Sequence, residues 1–184
     1  EAIKAAFTHL ANTRDPVIIA GDYSGYRNEI GPADAKAALR QSEAEYYAFV
    51  RDHLRQSLET LHAGERRILL VKQAYSTGVD LAKCLLRPTV TGGPDRTACT
   101  PAPLAEARAR SATADAMIEE LAARQRGVQT IDPKTLFCTQ TSCTTGDPGN
   151  GLYFRDPIHL TNAGSDYLVE QMRPVLLPAL TARP

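Results

Sequence analysis

Three short apolar runs, spaced by stretches with helical periodicity, limit what this chain can fold into. Val17-Ile18-Ile19-Ala20 is a continuous apolar run led by three β-branched residues, which predicts a strand covered on both faces in a parallel sheet. Ile68-Leu69-Leu70-Val71 repeats the pattern, and Val128-Gln129-Thr130-Ile131 is a third, shorter strand. Before the first run, Ile3, Ala6, Phe7 and Leu10 recur at helical spacing until Asp15-Pro16, because the residue before a proline avoids the helical region. Between the first two runs, Ser42 and Glu45 have capping-box spacing, and Tyr46, Phe49, Val50, Leu54, Leu58 and Leu61 form an apolar stripe ending at Gly64. An alanine-rich helix from Leu104 to Arg126 stops at Gly127, and a closing helix runs through Tyr167, Leu168 and Met172 to a stop at Pro174. Strands alternating with helices predict an α/β protein with a parallel sheet in a three-layer α/β/α arrangement.

The chain has 184 residues, enough for a single domain with a true core. Its formal net charge is zero, which leaves no basic footprint for nucleic acid or an anionic lipid face. No apolar run approaches the roughly 20 residues of a membrane helix, and no signal-peptide pattern opens the sequence. The chain starts at Glu1 inside a helix-like segment and reads as a piece of a longer polypeptide. Four cysteines fall into two local pairs, Cys84 with Cys99 and Cys138 with Cys143, across loops rich in Thr, Pro and Gly. Neither pair has zinc or redox spacing, and no cluster has the spacing of metal ligands, so no cofactor is expected. Four cysteines allow three pairings. The local one is preferred, and disulfides imply an oxidising compartment; the alternative is four reduced thiols.

In parallel α/β sheets the functional groups gather at the carboxyl ends of the strands. Those ends supply Gly21–Tyr26, Gln73–Thr77, and the loop after Leu152-Tyr153-Phe154 that carries Asp156-Pro157-Ile158-His159. A carboxylate three residues before a histidine can fix the imidazole tautomer and favour the imidazolium, leaving the other ring nitrogen to take a proton. Asp156 and His159 are therefore the candidate orienting acid and general base. His9, His53 and His62 fall on helical patterns and are expected at the surface, and Asn162 is expected to cap the closing helix.

These stretches together resemble the SGNH/GDSL hydrolase superfamily, and more closely the SGNH domain fused to acyltransferase 3 membrane proteins. The resemblance rests on Val17 to Tyr26, on Arg67 to Ala74 with Asp80 to Leu85 behind it, and on Leu136 to Cys143 followed by Asp156-Pro157-Ile158-His159-Leu160-Thr161 and Gly164. It implies a flavodoxin-like fold whose N-terminal part, with the first strand and the nucleophile turn, lies upstream of Glu1. The family's glycine-aspartate-serine turn has no counterpart here, and Gly21-Asp22-Tyr23-Ser24 matches the later oxyanion block by element order. Ser24 and Tyr23 are then the oxyanion or substrate candidates, with Tyr23 standing where the family has tryptophan and Asp22 adding an adverse charge.

The implied activity is serine-dependent transfer of an acetyl or other short acyl group to a cell-envelope polysaccharide. The implied partners are an acyl donor, the acceptor polysaccharide and a membrane acyltransferase domain of the same polypeptide. The implied location is the periplasmic side of an inner membrane. The alternatives are a carbohydrate esterase and a catalytically silent domain that binds polysaccharide or a partner.

Overall fold

In the computed structural model, the described residues are 2–21, 23, 42–61, 65–86 and 100–181. Their elements run α1 (Ala2–Ala11), β1 (Val17–Ile19), α2 (Glu43–Thr60), β2 (Ile68–Val71), α3 (Leu81–Leu86), α4 (Leu104–Ala123), β3 (Val128–Ile131), α5 (Lys134–Phe137), β4 (Gly146–Asp147), β5 (Gly151–Leu152) and α6 (Asn162–Thr181). The three long-range strands form one parallel sheet in the order β1-β2-β3, with Val17 opposite Ile68 and Ile68 opposite Val128. The mixed α/β class with a parallel sheet is thus the architecture of the chain. β4 and β5 make a separate antiparallel pair.

The chain divides into two compact units. The first comprises residues 1–73, 111–131 and 178–184, and contains the parallel sheet. Its centre is β2, where all four residues are buried, so both faces of that strand are covered. Leu58 and Leu61 of the α2 stripe and Ala114, Met117, Ile118 and Leu121 of α4 complete this core around Ile68 and Leu70. The N-terminus of α2 is closed as its sequence predicted: the Ser42 hydroxyl accepts from the Glu45 N–H at 3.2 Å. The hydroxyl also donates to the Glu45 carboxylate at 3.0 Å.

β1 departs from expectation. Ile18 is 43% exposed and only Val17 is buried, so this strand is not covered on both faces. It lies at the end of the sheet order, with β2 its one strand neighbour among the described residues. A run of β-branched residues reads the same at the centre and at the edge. The buried Arg66 directs its guanidinium at the backbone carbonyls of Leu10, Thr13 and Asp15. A cation there complements the carbonyl end of the α1 dipole and holds the α1–β1 turn.

The second unit comprises residues 74–110 and 132–177. Its core is aromatic: Tyr75, Phe137, Tyr153 and Phe154 are buried together, with Leu104, Ala107 and Cys138. Phe137 and Phe154 have ring centroids 5.1 Å apart, and Tyr75 meets Phe154 edge-on at 5.6 Å, the geometry that aromatic quadrupoles favour. The stretch 132–150 contains α5 and the β4 strand. Cys138 and Cys143 form a disulfide, closing a tight turn in which the Thr139 N–H donates to the Ser142 carbonyl at 2.8 Å. Cys84 is also disulfide-bonded; Cys99 lies outside the described residues.

α6 corrects a second expectation, since it passes through Pro174 and ends at Thr181. Proline removes one ladder bond, here the bond to the Glu170 carbonyl, and Glu170 and Pro174 are both exposed, so water can serve the orphaned acceptor. The helix cap is also displaced by one residue. Thr161, not Asn162, accepts the Gly164 N–H on its hydroxyl at 3.1 Å.

Leu70 is fully buried at the centre of the first core, so Leu70→Ala should cost about 2–5 kcal/mol. Urea unfolding monitored by circular dichroism checks this, and a loss below about 1 kcal/mol would mean that β2 is not central.

Candidate active site

Asp156 and His159 sit at the tip of a small hairpin whose arms are residues 153–155 and 159–161. Phe154 bridges Leu160 in antiparallel fashion, the Arg155 N–H donates to the His159 carbonyl at 3.0 Å, and the Thr161 N–H donates to the Tyr153 carbonyl at 2.9 Å. The Thr161 hydroxyl adds a bond to the Leu152 carbonyl at 2.7 Å. The aromatic core grips one arm of this hairpin at Phe154, and α6 begins directly after the other. Tip and helix start are therefore fixed to the same packed base.

The Asp156 carboxylate divides its work between two oxygens. Oδ1 accepts from the Ile158 N–H at 3.0 Å and the His159 N–H at 2.8 Å, which folds the tip into an Asx-type turn. Oδ2 lies 2.8 Å from His159 Nδ1. A carboxylate can only accept, so Nδ1 carries the proton and Nε2 holds the lone pair. Nε2 makes no hydrogen bond among the described residues, and the imidazole is 56% exposed while the carboxylate is 33% exposed. The ring is held from one side and open on the other.

Desolvation pushes the Asp156 carboxyl up, but the Ile158 and His159 backbone N–H groups and the His159 ring outweigh it, leaving the carboxyl at about 2. Asp156 is therefore ionised wherever His159 could act as a base. Its charge also reaches Asp80, whose own carboxyl is lowered first by the Lys83 N–H and then by the Lys83 side chain.

Thr77, buried in the strand-end turn after β2, was not singled out in the sequence. Its N–H donates to the Pro157 carbonyl at 2.9 Å and its carbonyl accepts from the Ala102 N–H at 2.7 Å, so it pins the middle of the D-x-x-H tip. Only its place at a strand end pointed to it.

Gly164 is explained by a close approach. A Cβ on this residue would lie 2.0 Å from the Tyr153 carbonyl oxygen, so the first turn of α6 packs on the hairpin base only without a side chain.

Of the other candidates, Tyr23 belongs to the first unit and is a core residue there. Its phenol donates to the Ile19 carbonyl at 3.5 Å, its N–H is taken by the Gln73 side chain at 2.9 Å, and burial pushes the phenol up to about 12. With its hydroxyl and N–H both engaged, Tyr23 packs the sheet end. Ser24 and Asp22 lie outside the described residues. His9 and His53 are exposed as expected, and His62 lies outside the described residues. Among the described residues no three His, Cys, Asp or Glu side chains cluster as metal ligands, and no helix is long and apolar enough to cross a membrane.

A carboxylate-oriented imidazole with its far nitrogen unbonded has the geometry to take up a proton. Over residues 1–174 the chain matches the family described as the SGNH domain fused to AT3 domains, and it belongs to that family. Among solved structures it is similar to the periplasmic domain of a lipopolysaccharide acetyltransferase from Salmonella ser. Paratyphi A, with a TM-score of 0.60 at 14% identity. That match covers 95% of this chain and 61% of the Salmonella one, so the chain spans about three-fifths of its length. No curated protein matches the chain significantly.

Two outcomes follow. Gly164→Ala should destabilise the protein by about 1–3 kcal/mol, because overpacking against the Tyr153 carbonyl outweighs the ~1 kcal/mol that alanine gains in a helix; thermal melting with a rise in stability would contradict the close approach. The Asp156 carboxyl lies below its ordinary 3.8 in the folded state, so its contribution to stability is complete above about pH 4 and is lost as pH falls through about 2. The stability gap between wild type and Asp156→Asn, measured by urea unfolding, should narrow as pH falls through that window.

Proposed function

We propose that this chain is the general-base portion of an SGNH-type acyltransferase that moves an acetyl or other short acyl group onto a cell-envelope polysaccharide. One observation carries the reading: the 2.8 Å contact that orients His159 on Asp156 and leaves Nε2 exposed. In this scheme Nε2 takes the proton of a serine hydroxyl as that oxygen attacks the acyl donor. The imidazolium, stabilised by the Asp156 carboxylate, then returns the proton to the leaving group. The acyl-serine is broken in the same way by a sugar hydroxyl, with His159 again taking the proton. Water in place of the sugar makes the reaction ester hydrolysis.

The family description supports a membrane acyltransferase domain as the partner in the same polypeptide. The periplasmic origin of the similar Salmonella domain and the disulfides support an extracytoplasmic location. The serine is not assigned to a residue of this chain, and Ser24 remains a candidate for an oxyanion donor.

In the full-length protein, His159→Ala and Asp156→Asn should each lower acyl transfer to envelope polysaccharide by about 10²-fold or more, read as base-labile acyl groups on the purified polymer. Unchanged acylation in both variants would favour the silent, polysaccharide- or partner-binding reading. Residues 1–184 alone should hydrolyse p-nitrophenyl acetate no faster than their His159→Ala variant. Turnover that depends on Ser24 would instead make Ser24 the nucleophile.

A further inference from the structure

The second unit carries a groove of about 460 Å³ lined by Asp147, Asn150, Tyr153, Asp166, Tyr167 and Glu170. That volume is within the ~300–1,000 Å³ typical of sites for small ligands. It forms where the β4–β5 turn meets the first turns of α6, at the base of the D-x-x-H hairpin. No lysine or arginine lines it. Three carboxylates without a lining cation make it negative, and they do not converge as metal ligands, so they suit an extended ligand better than a single ion.

The hydrogen-bonding groups in the groove are partly spent and partly open. Tyr167 donates its hydroxyl to the Leu136 carbonyl at 3.0 Å and stacks on Tyr153 with centroids 4.5 Å apart. Tyr153 is only 4% exposed, yet its hydroxyl makes no hydrogen bond among the described residues and is not enclosed by protein. A buried ring that ends in an open hydroxyl on a groove wall is a donor held in place for something else. Burial first, and then the Asp147 charge and Tyr167, push that phenol up, so it stays protonated and able to donate.

Asp147 spends Oδ1 on the Gly149 and Asn150 N–H groups at 2.6 and 3.2 Å, which leaves Oδ2 open. Asp166 has no partner among the described residues. Glu170 shares its charge with Arg173 at 3.3 Å.

We propose that this groove binds the acceptor glycan through a segment of neutral or amino-bearing sugars, whose hydroxyl or ammonium hydrogens donate to Asp147, Asp166 and Glu170 while Tyr153 donates to a sugar oxygen. Glycan is favoured because it offers many donors along one chain. Uronic acids and phosphorylated sugars are excluded by like charge. The identity of the ligand as an acceptor rests on the acyltransferase reading; the recognition chemistry does not.

The test uses the full-length protein on an oligosaccharide array carrying neutral hexoses, amino sugars and uronic acids. Retention is expected on the first two classes and not on the third. Tyr153→Phe and Asp166→Asn, which remove no intramolecular hydrogen bond, should keep the wild-type melting temperature and weaken retention by about 2–10-fold each. No retention, equal retention on uronic acids, loss of retention with EDTA, or undiminished retention by both variants would overturn the proposal. Acyl transfer by His159→Ala separates the two readings. If that variant acylates normally while the groove variants lose glycan, the enzymatic reading fails and the glycan site stands; the reverse pattern removes the site alone.

Discussion

The shape of the D-x-x-H tip depends on how one carboxylate is shared. Asp156 Oδ1 ties down the backbone of Ile158 and His159, and Oδ2 ties down the imidazole. A side chain that both shapes a turn and orients the ring at the end of that turn couples loop conformation to base geometry. The three-residue spacing sets the reach: closer, and the carboxylate could not serve both the 158–159 amides and the ring. The low carboxyl value has the same origin, since each donor favours the ionised form.

That shared carboxylate stands on a hairpin held by packing and backbone hydrogen bonds. Phe154 lies in the aromatic core, Thr161 bonds back to Leu152 and caps α6, and Gly164 lets the helix close on the Tyr153 carbonyl. Thr77 fastens the tip from the turn after β2. The support of the site thus comes from packing and backbone bonds, and it leaves the imidazole more than half exposed. In the proposed role such support matters, because small misplacements are costly when a proton must pass along one hydrogen bond.

Tyr153 links this support to the proposed glycan groove. Its carbonyl anchors the hairpin, its ring stacks in the aromatic core, and its hydroxyl opens on the groove. A residue with three commitments is hard to recognise in a sequence, where it reads as one aromatic in an apolar triplet. Asp147, Asp166 and Glu170 are equally silent there, since each alone is an ordinary surface carboxylate.

Periodicity and local chemistry determined much of this protein from the chain alone. The three strands, the long helices, the Ser42 cap, the Cys138–Cys143 closure and the Asp156–His159 pair are each encoded within a few residues of one another. Local signals carry them because hydrogen-bond reach and side-chain period are local properties. Tertiary structure decided the rest. It left Ile18 exposed, since alternate strand residues face opposite sides and only packing decides which side is covered. It carried α6 through Pro174, since an exposed helix lets water replace the missing bond. It also gave Tyr23 to the core and Thr77 to the site, because burial and long-range hydrogen bonds depend on what the rest of the chain brings alongside.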